Sequence, residues 1–248
     1  QEWLSMKVSW YTISAKGAQD EYGDLGLTAK VRASKSVLKL GTLLPKLPVL
    51  LANDSRLLPQ TFKGGQLTSL EGDGLTLDAG RLTQANQRDS SDYQDMGITA
   101  TGAKNIRVRH SESDRFDFAS LNYKWSNELS TAYSYGHLEN LYSQHLLNLT
   151  HVLPLGQGQS LKSDLRFARS LDQGGSNVDN RALGAMFTYS LGGHAVGLGY
   201  QRMSGDTGFA YVNGTDAFLV NFVQIGDFAN RDEKSWQARY DYNFAALG

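Results

Sequence analysis

The chain has 248 residues, enough for one large β domain or two small ones with a sizeable core. Lys plus Arg is 24 against Asp plus Glu 25, a formal net charge of −1, which offers nucleic acid no electrostatic handle. There is no cysteine, so disulfide scaffolds, thiol nucleophiles and Cys-ligated metals are excluded, and no apolar run approaches the roughly 18 residues of a membrane helix.

Twelve Tyr, ten Phe and 26 Gly with only four Pro make a β-rich composition. The mean hydropathy is negative. That does not separate a soluble β protein from a barrel with a wet lumen, because such a barrel dilutes its apolar face with alternate polar residues. The N-terminus lacks the basic, apolar, small-residue order of a secretory signal, which reads as a removed signal or a chain that is not the whole gene product.

In chain order, "GLTAKVRAS" (26 to 34) sets Leu27, Ala29, Val31 and Ala33 against Thr28, Lys30, Arg32 and Ser34. A period of two is an extended strand with one apolar and one polar face. "SVLKLGTLL", "GQLTSL" and "GLTLDAGRL" continue the pattern, "RFDFASLNYKW" (115 to 125) switches phase midway, and "ELSTAYSYGHL" resumes it. "LYSQHLLNLTHVL" (141 to 153) is noisier. In "SLKSDLRFARSL" (160 to 171), Leu161, Leu165, Phe167 and Leu171 oppose Lys162, Asp164 and Arg166. "RALGAMFTYSL" (181 to 191), "HAVGLGYQR" (194 to 202), "DAFLVNFVQI" (216 to 225) and "KSWQARYDYNFAALG" (234 to 248) complete some ten or eleven candidate strands.

The connections alternate in length. Short links at 34 to 36, 71 to 74, 126 to 128, 155 to 159 and 192 to 193 contrast with long ones at 44 to 63, 84 to 114, 172 to 180 and 204 to 217. Tight turns at one end and long loops at the other predict an up-and-down meander of the outer-membrane kind. A soluble sandwich with charges on its outer face fits the alternation equally well, but it explains less readily why the apolar faces carry small residues beside ring-end aromatics such as Trp125, Tyr189, Trp236 and Tyr242.

One segment fits no meander. "LLPKLPVLLANDSRLLPQTF" (43 to 62) holds three of the four prolines, which keep it out of a central strand, yet it is rich in Leu. An apolar loop of this length tucks against something. It either folds into a lumen and narrows it, with Arg56 at the narrowest point, or forms a surface loop with its own local cluster; the chemistry alone leaves both open.

This segment resembles the OprD-type outer-membrane carboxylate channels of Pseudomonas-like bacteria, as do "GLTLDAGRL", "GYQRMSGDTGFAYVNGTD" and "FVQIGDFANRDEKSWQARYDYNFAALG". The likeness runs from about residue 21 to 248. It implies an all-β, antiparallel, transmembrane barrel, of which this chain is a portion of an 18-stranded whole, treated as a single unit over 1–248 with 44–63 as the inward-folded constriction loop. It further implies a bacterial outer-membrane location, lipid and small carboxylate solutes as partners, a weak homotrimer, and neither cofactor nor metal.

Carried across by position, Arg56 resembles the eyelet cation, and Tyr211 and Asp227 its opposite side. By the same resemblance Arg81 and Arg88 would belong to the basic track along the lumen; Lys30 and Arg32 join it by strand parity only. The length departs from this family: a barrel of that type needs roughly 400 residues at about ten per strand plus loops. Residues 1 to 20 do not match the expected first hairpins, and the chain stops at Gly248 rather than at a terminal aromatic, so it reads as an internal or truncated portion.

The function so implied is passive, substrate-selective diffusion of small carboxylates, amino acids and organic or aromatic acids among them. The competing reading is a soluble or surface carbohydrate-binding β protein. That reading needs aromatics clustered in loops, whereas here they sit mostly on strand faces. An enzyme is the weakest reading, because His110, His137, His145, His151 and His194 show no metal-ligand or catalytic spacing.

Overall fold

The computed structural model describes residues 4–12, 21–55, 58–109, 112–223 and 226–244, with side chains from Gly26 onward. Its strands are β1 (Leu4–Thr12), β2 (Glu21–Ala33), β3 (Ser36–Leu43), β4 (Lys46–Leu47), β5 (Leu50–Leu51), β6 (Thr61–Ser69), β7 (Leu75–Asn86) and β8 (Tyr93–Gln94). They continue as β9 (Phe116–Lys124), β10 (Leu129–Leu138), β11 (Tyr142–Gly156), β12 (Gln159–Asp172), β13 (Asp179–Leu191), β14 (His194–Ser204) and β15 (Lys234–Tyr242). Apart from the separate pair β4–β5, they form one antiparallel sheet ordered β1-β2-β3-β6-β7-β9-β10-β11-β12-β13-β14-β15, with β8 beside β7. Every neighbour on that path is the next long strand in the chain, which is a meander.

Tight hairpins join the strands at one end. At the β11–β12 link, Gln157 and Gly158 both take positive φ (52° and 74°), the backbone that lets a two-residue turn follow the twist of its strands. The other end carries the long connections.

The alternation decides which face is which. Along β14, His194, Val196, Leu198 and Arg202 are exposed, while Gly197, Gly199, Gln201 and Met203 are buried. Leu198 is 63% exposed and Gln201 only 1%. On β15 Trp236 is 79% exposed and Ser235 is buried. Leu183, Phe187 and Tyr189 on β13 and Leu165 and Phe167 on β12 stand out in the same way. Apolar residues therefore face away from the interior on strand after strand. A soluble sandwich would cover that face with a second sheet; among the described residues the only other sheet is the pair β4–β5, two residues in each strand. On β13 the exposed apolar stretch between Arg181 and Leu191 is roughly 23 Å tall at about 3.3 Å per residue and a tilt near 45°, close to the ~25 Å band of a lipid-facing barrel wall.

The inner face changes character along its height. Toward the tight turns it is polar and charged, with Lys30 opposite Lys39, Asp78 near Thr68, and Lys162, Asp164 and Arg166 on β12. Toward the long loops it turns apolar: Phe62, Phe116, Leu138 and Tyr142 are fully buried. This accounts for the phase switch in 115–125. Phe116 and Phe118 point inward against the loops, whereas Leu121 lies exposed on the outer face.

Two long loops supply what those residues pack on. The proline segment leaves the wall after Leu43, turns through β4 and β5 and rejoins it at Thr61, burying Leu47, Val49, Leu50 and Leu58. The second, between β14 and β15, lies over the inner wall. Gln144 Nε2 donates to the Ala210 carbonyl (3.0 Å), Gln201 Nε2 to the Phe228 carbonyl (2.8 Å) and Asn180 Nδ2 to the Thr207 carbonyl (2.9 Å). Part of this loop is the predicted strand 216–225. Asp216–Val223 instead forms only isolated bridges, and Gln224 and Ile225 lie outside the described residues. Its apolar residues serve the interior rather than the wall. Conversely, β1, where no strand is expected, pairs with β2 from Leu4↔Ala29 to Thr12↔Glu21.

Small residues on the inner wall give the loops room. A Cβ on Gly184 would stand 2.7 Å from Val220, and one on Gly136 would stand 2.9 Å from Phe116 and 3.0 Å from Val49 of the proline segment. Gly136→Val is therefore expected to lift that segment, at a cost of about 1–3 kcal/mol. Faster proteolytic cleavage within residues 44–60 would register it; an unchanged cleavage rate would show that the contact does not hold the loop.

Candidate functional site

Three loops meet inside the sheet. The segment 87–115 is zipped to 205–233 by backbone hydrogen bonds from Thr99 N to Tyr211 O (2.9 Å), Asn213 N to Gly97 O (2.8 Å) and Gly208 N to Lys104 O (2.7 Å). The proline segment joins them through Asp216 N to Leu51 O (2.9 Å), and Asn53 Nδ2 donates to Asp216 Oδ1. Gln60 Nε2 donates to the Asn213 carbonyl (2.9 Å). Between them lies an open cavity of about 640 Å³, lined among others by Ser55, Arg88, Tyr211, Asp216, Asp227 and Asn230.

Its walls carry opposite charge. On one side Arg88 Nη1 donates to Asn53 Oδ1 (2.9 Å) and Ser55 Oγ (3.3 Å), so the guanidinium is held against the proline segment. On another, the Tyr211 hydroxyl donates to Asp227 Oδ2 (2.9 Å), and Lys104 Nζ lies 2.6 Å from the same oxygen and 4.4 Å from the centre of the Tyr211 ring. The Lys104 side chain is 0% exposed. Burial pushes its amine below the ordinary lysine value, against the opposing pull of Asp227. Burial alone would raise the Asp227 carboxyl, but Lys104 and the Tyr211 hydroxyl outweigh it and hold the group below the usual carboxylate range. Burial, then the neighbouring carboxylate, raises the Tyr211 hydroxyl, so it stays a proton donor at neutral pH.

Of the residues expected at the site, Tyr211, Asp227 and Arg88 come together around this cavity. Arg56 lies outside the described residues; Ser55 beside it lines the cavity. Lys30 and Arg32 are on the inner face, at the β2–β3 hairpin away from the cavity, with Lys30 across from Lys39. Arg81 is elsewhere. It shares the outward parity of Leu77 and Ala79 on β7 and pairs with Asp117 of β9 (2.6 Å). Its place opposite the inner face follows from the strand period itself, which sets it with the apolar residues of "GLTLDAGRL". Lys104, Asn53 and Asp216 carry no such signal in the sequence, since each acquires its role from a partner on a distant loop. Among the described residues, no three His, Cys, Asp or Glu gather to hold a metal.

A one-sheet meander with an apolar outer band and a polar inner face, its inward loops framing a charged cavity, is the wall pattern of an outer-membrane β-barrel. The profile of the outer membrane porin, OprD family, matches residues 6–248, and the chain belongs to that family. It is 36% identical over 242 residues to Porin D of Pseudomonas aeruginosa (93% of this chain, 53% of that protein). To the porin-like protein GalP of Pseudomonas putida it is 35% identical over 234 residues (92% and 55%). Among solved structures it resembles Pseudomonas aeruginosa OpdQ (TM-score 0.90, 69% identity, 92% of this chain and 61% of that one) and OpdD (TM-score 0.87, 61% identity, 92% and 60%). The chain spans about half the length of the curated relatives it matches. These relatives are proteins of the bacterial outer membrane, which is where the exposed apolar band belongs.

Proposed function

We propose that this chain contributes the wall and constriction of a channel for passive, selective diffusion of small carboxylate-bearing solutes, amino acids and organic or aromatic acids among them. The observation that carries the reading is the cavity where Arg88 stands on one side and Asp216 and Asp227 on the others. A guanidinium offers a carboxylate two parallel hydrogen bonds, and inside a narrowed lumen the attraction exceeds its value in bulk water. The carboxylates opposite engage an amine on the same solute and keep the site from trapping anions. Passage requires both, because binding must be firm enough to select and weak enough to release.

In this reading residues 44–63 act as the constriction loop, Arg56 adds a second cation beside Ser55, and Lys30 and Arg32 extend a basic approach along the inner face. The role is transport without a catalytic step, with lipid around the wall and a weak homotrimer as its assembly. Arg88→Gln and Arg56→Ala in the complete channel are each expected to lower carboxylate permeability severalfold and to change single-channel conductance in planar bilayers. Carboxylate flux equal to wild type in both variants would overturn the assignment.

A further inference from the structure

Toward its long-loop end the outer face carries two charged groups of different kind. The first, on β7 to β10, is balanced. Arg81 and Arg115 both pair with Asp117, at 2.6 and 2.7 Å, and Arg115 also reaches Glu139 at 3.5 Å. The second, on β12 to β15, is not. Arg169 stands directly across from Arg181, and Arg202 directly across from Lys234, with Arg202 one diagonal step from Arg181 on the same face. Among the described residues, Asp179 is the only acid ion-paired to this set, and it pairs with Arg169. Arg181, Arg202 and Lys234 are exposed and have no acidic partner among the described residues. Like charges placed directly opposite in a sheet are destabilising, so two such pairs side by side call for an anion from outside the chain.

The surroundings say which anion. Immediately toward the tight turns, the rings of Tyr200 and Trp236 meet with centroids 4.4 Å apart and planes tilted by 43°, the kind of ring pair that marks a membrane–water boundary. Beyond them the exposed Leu183, Phe187 and Leu198 form the apolar wall. The long loops mark the extracellular end of such a barrel, so the cluster lies at the headgroup level of the outer leaflet. We propose that Arg181, Arg202 and Lys234, with Arg169 behind them, bind the phosphate groups of an outer-leaflet lipid whose acyl chains lie along the wall beneath. Arginine suits this role, because its planar fork meets phosphate oxygens two at a time.

The test is native mass spectrometry of the intact channel in detergent, with a bis-phosphorylated lipid A added as the probe. Wild type is expected to retain the lipid, and R181Q/R202Q to retain it about tenfold less, since two exposed, water-screened charge contacts are lost. K234Q alone is expected to give a smaller loss, and R81Q, in the balanced group, none. The same lipid without its phosphates should be retained weakly, and an equal concentration of inorganic phosphate should not displace the phosphorylated form. Equal retention by R181Q/R202Q with an unchanged melting profile would overturn the site, as would equal retention of the phosphate-free lipid. Displacement by inorganic phosphate would reduce it to a free-anion site and overturn the lipid assignment.

Discussion

Lys104→Met is expected to loosen the lumenal loops by about 3 kcal/mol, the low end for breaking a buried ion pair, because Asp227 keeps a quarter of its side chain exposed and the Tyr211 hydroxyl remains. The loss comes from the carboxylate left behind without its cation. Burial outweighs pairing at Lys104, whose amine is pushed below its ordinary value, so removing both charges should cost less than removing one. Lys104→Met/Asp227→Asn is therefore expected to recover part of the stability that Lys104→Met loses. Thermal unfolding of the complete channel in detergent, together with current noise in bilayers, measures both. A double variant no better than the single would refute the pairing account.

The same pair sets an acid limit. Asp227 titrates below the usual carboxylate range in the folded protein, so its stabilisation is complete above the unfolded value and fades as pH falls through the lowered folded one. The wild-type loops should therefore weaken progressively as pH falls below the ordinary carboxylate range, and Asp227→Asn should remove that dependence.

Leu198→Arg carries the second large effect. Leu198 is 63% exposed on β14, with Phe187 and Ala238 as its cross-strand partners, about midway between Arg202 and His194. On a water-facing surface such a change is worth within about 0.5 kcal/mol of nothing. Facing hydrocarbon near the bilayer centre, it costs about 2–4 kcal/mol. Refolding the complete channel from urea into lipid vesicles separates the two cases by the shift in midpoint. A midpoint equal to that of wild type would mean that this side of the wall does not meet lipid.

Most of the wall is legible in the residue order because lipid-facing strands obey one rule, large apolar out and small or polar in. On β13 and β14 it holds across the middle of the wall, from Leu183 to Tyr189 and from Val196 to Tyr200, with Met186 as the one large apolar residue turned inward; toward the long loops it gives way to the outward Arg181 and Arg202 and the inward Met203. The rule weakens where the inner face also becomes apolar, as at Phe116, Phe118, Tyr142 and Leu146, because there the loops replace water as the neighbour. The stretch 216–225 misleads for the same reason: Leu219 and Val220 are apolar to cover the inner wall, and a period-based reading does not distinguish that from wall residues. The proline segment escapes this confusion, since Pro45, Pro48 and Pro59 forbid a central strand outright. At the candidate site, Tyr211 and Asp227 are recognisable from their resemblance to a known motif. Lys104 is not, because its meaning comes from the pairing of loops far apart in the chain, which local patterns do not encode.

Glycines 136 and 184 leave the inside of the staves nearly flat where Val49 and Val220 rest on them. In the proposed channel, the opening would thus be bounded by inserts laid against the wall rather than by the wall's own girth. Such an arrangement separates two evolutionary burdens. Under the proposed function, the outer wall would answer for insertion into the membrane and the two inward loops for choice of solute, so that the one could change in sequence with little effect on the other.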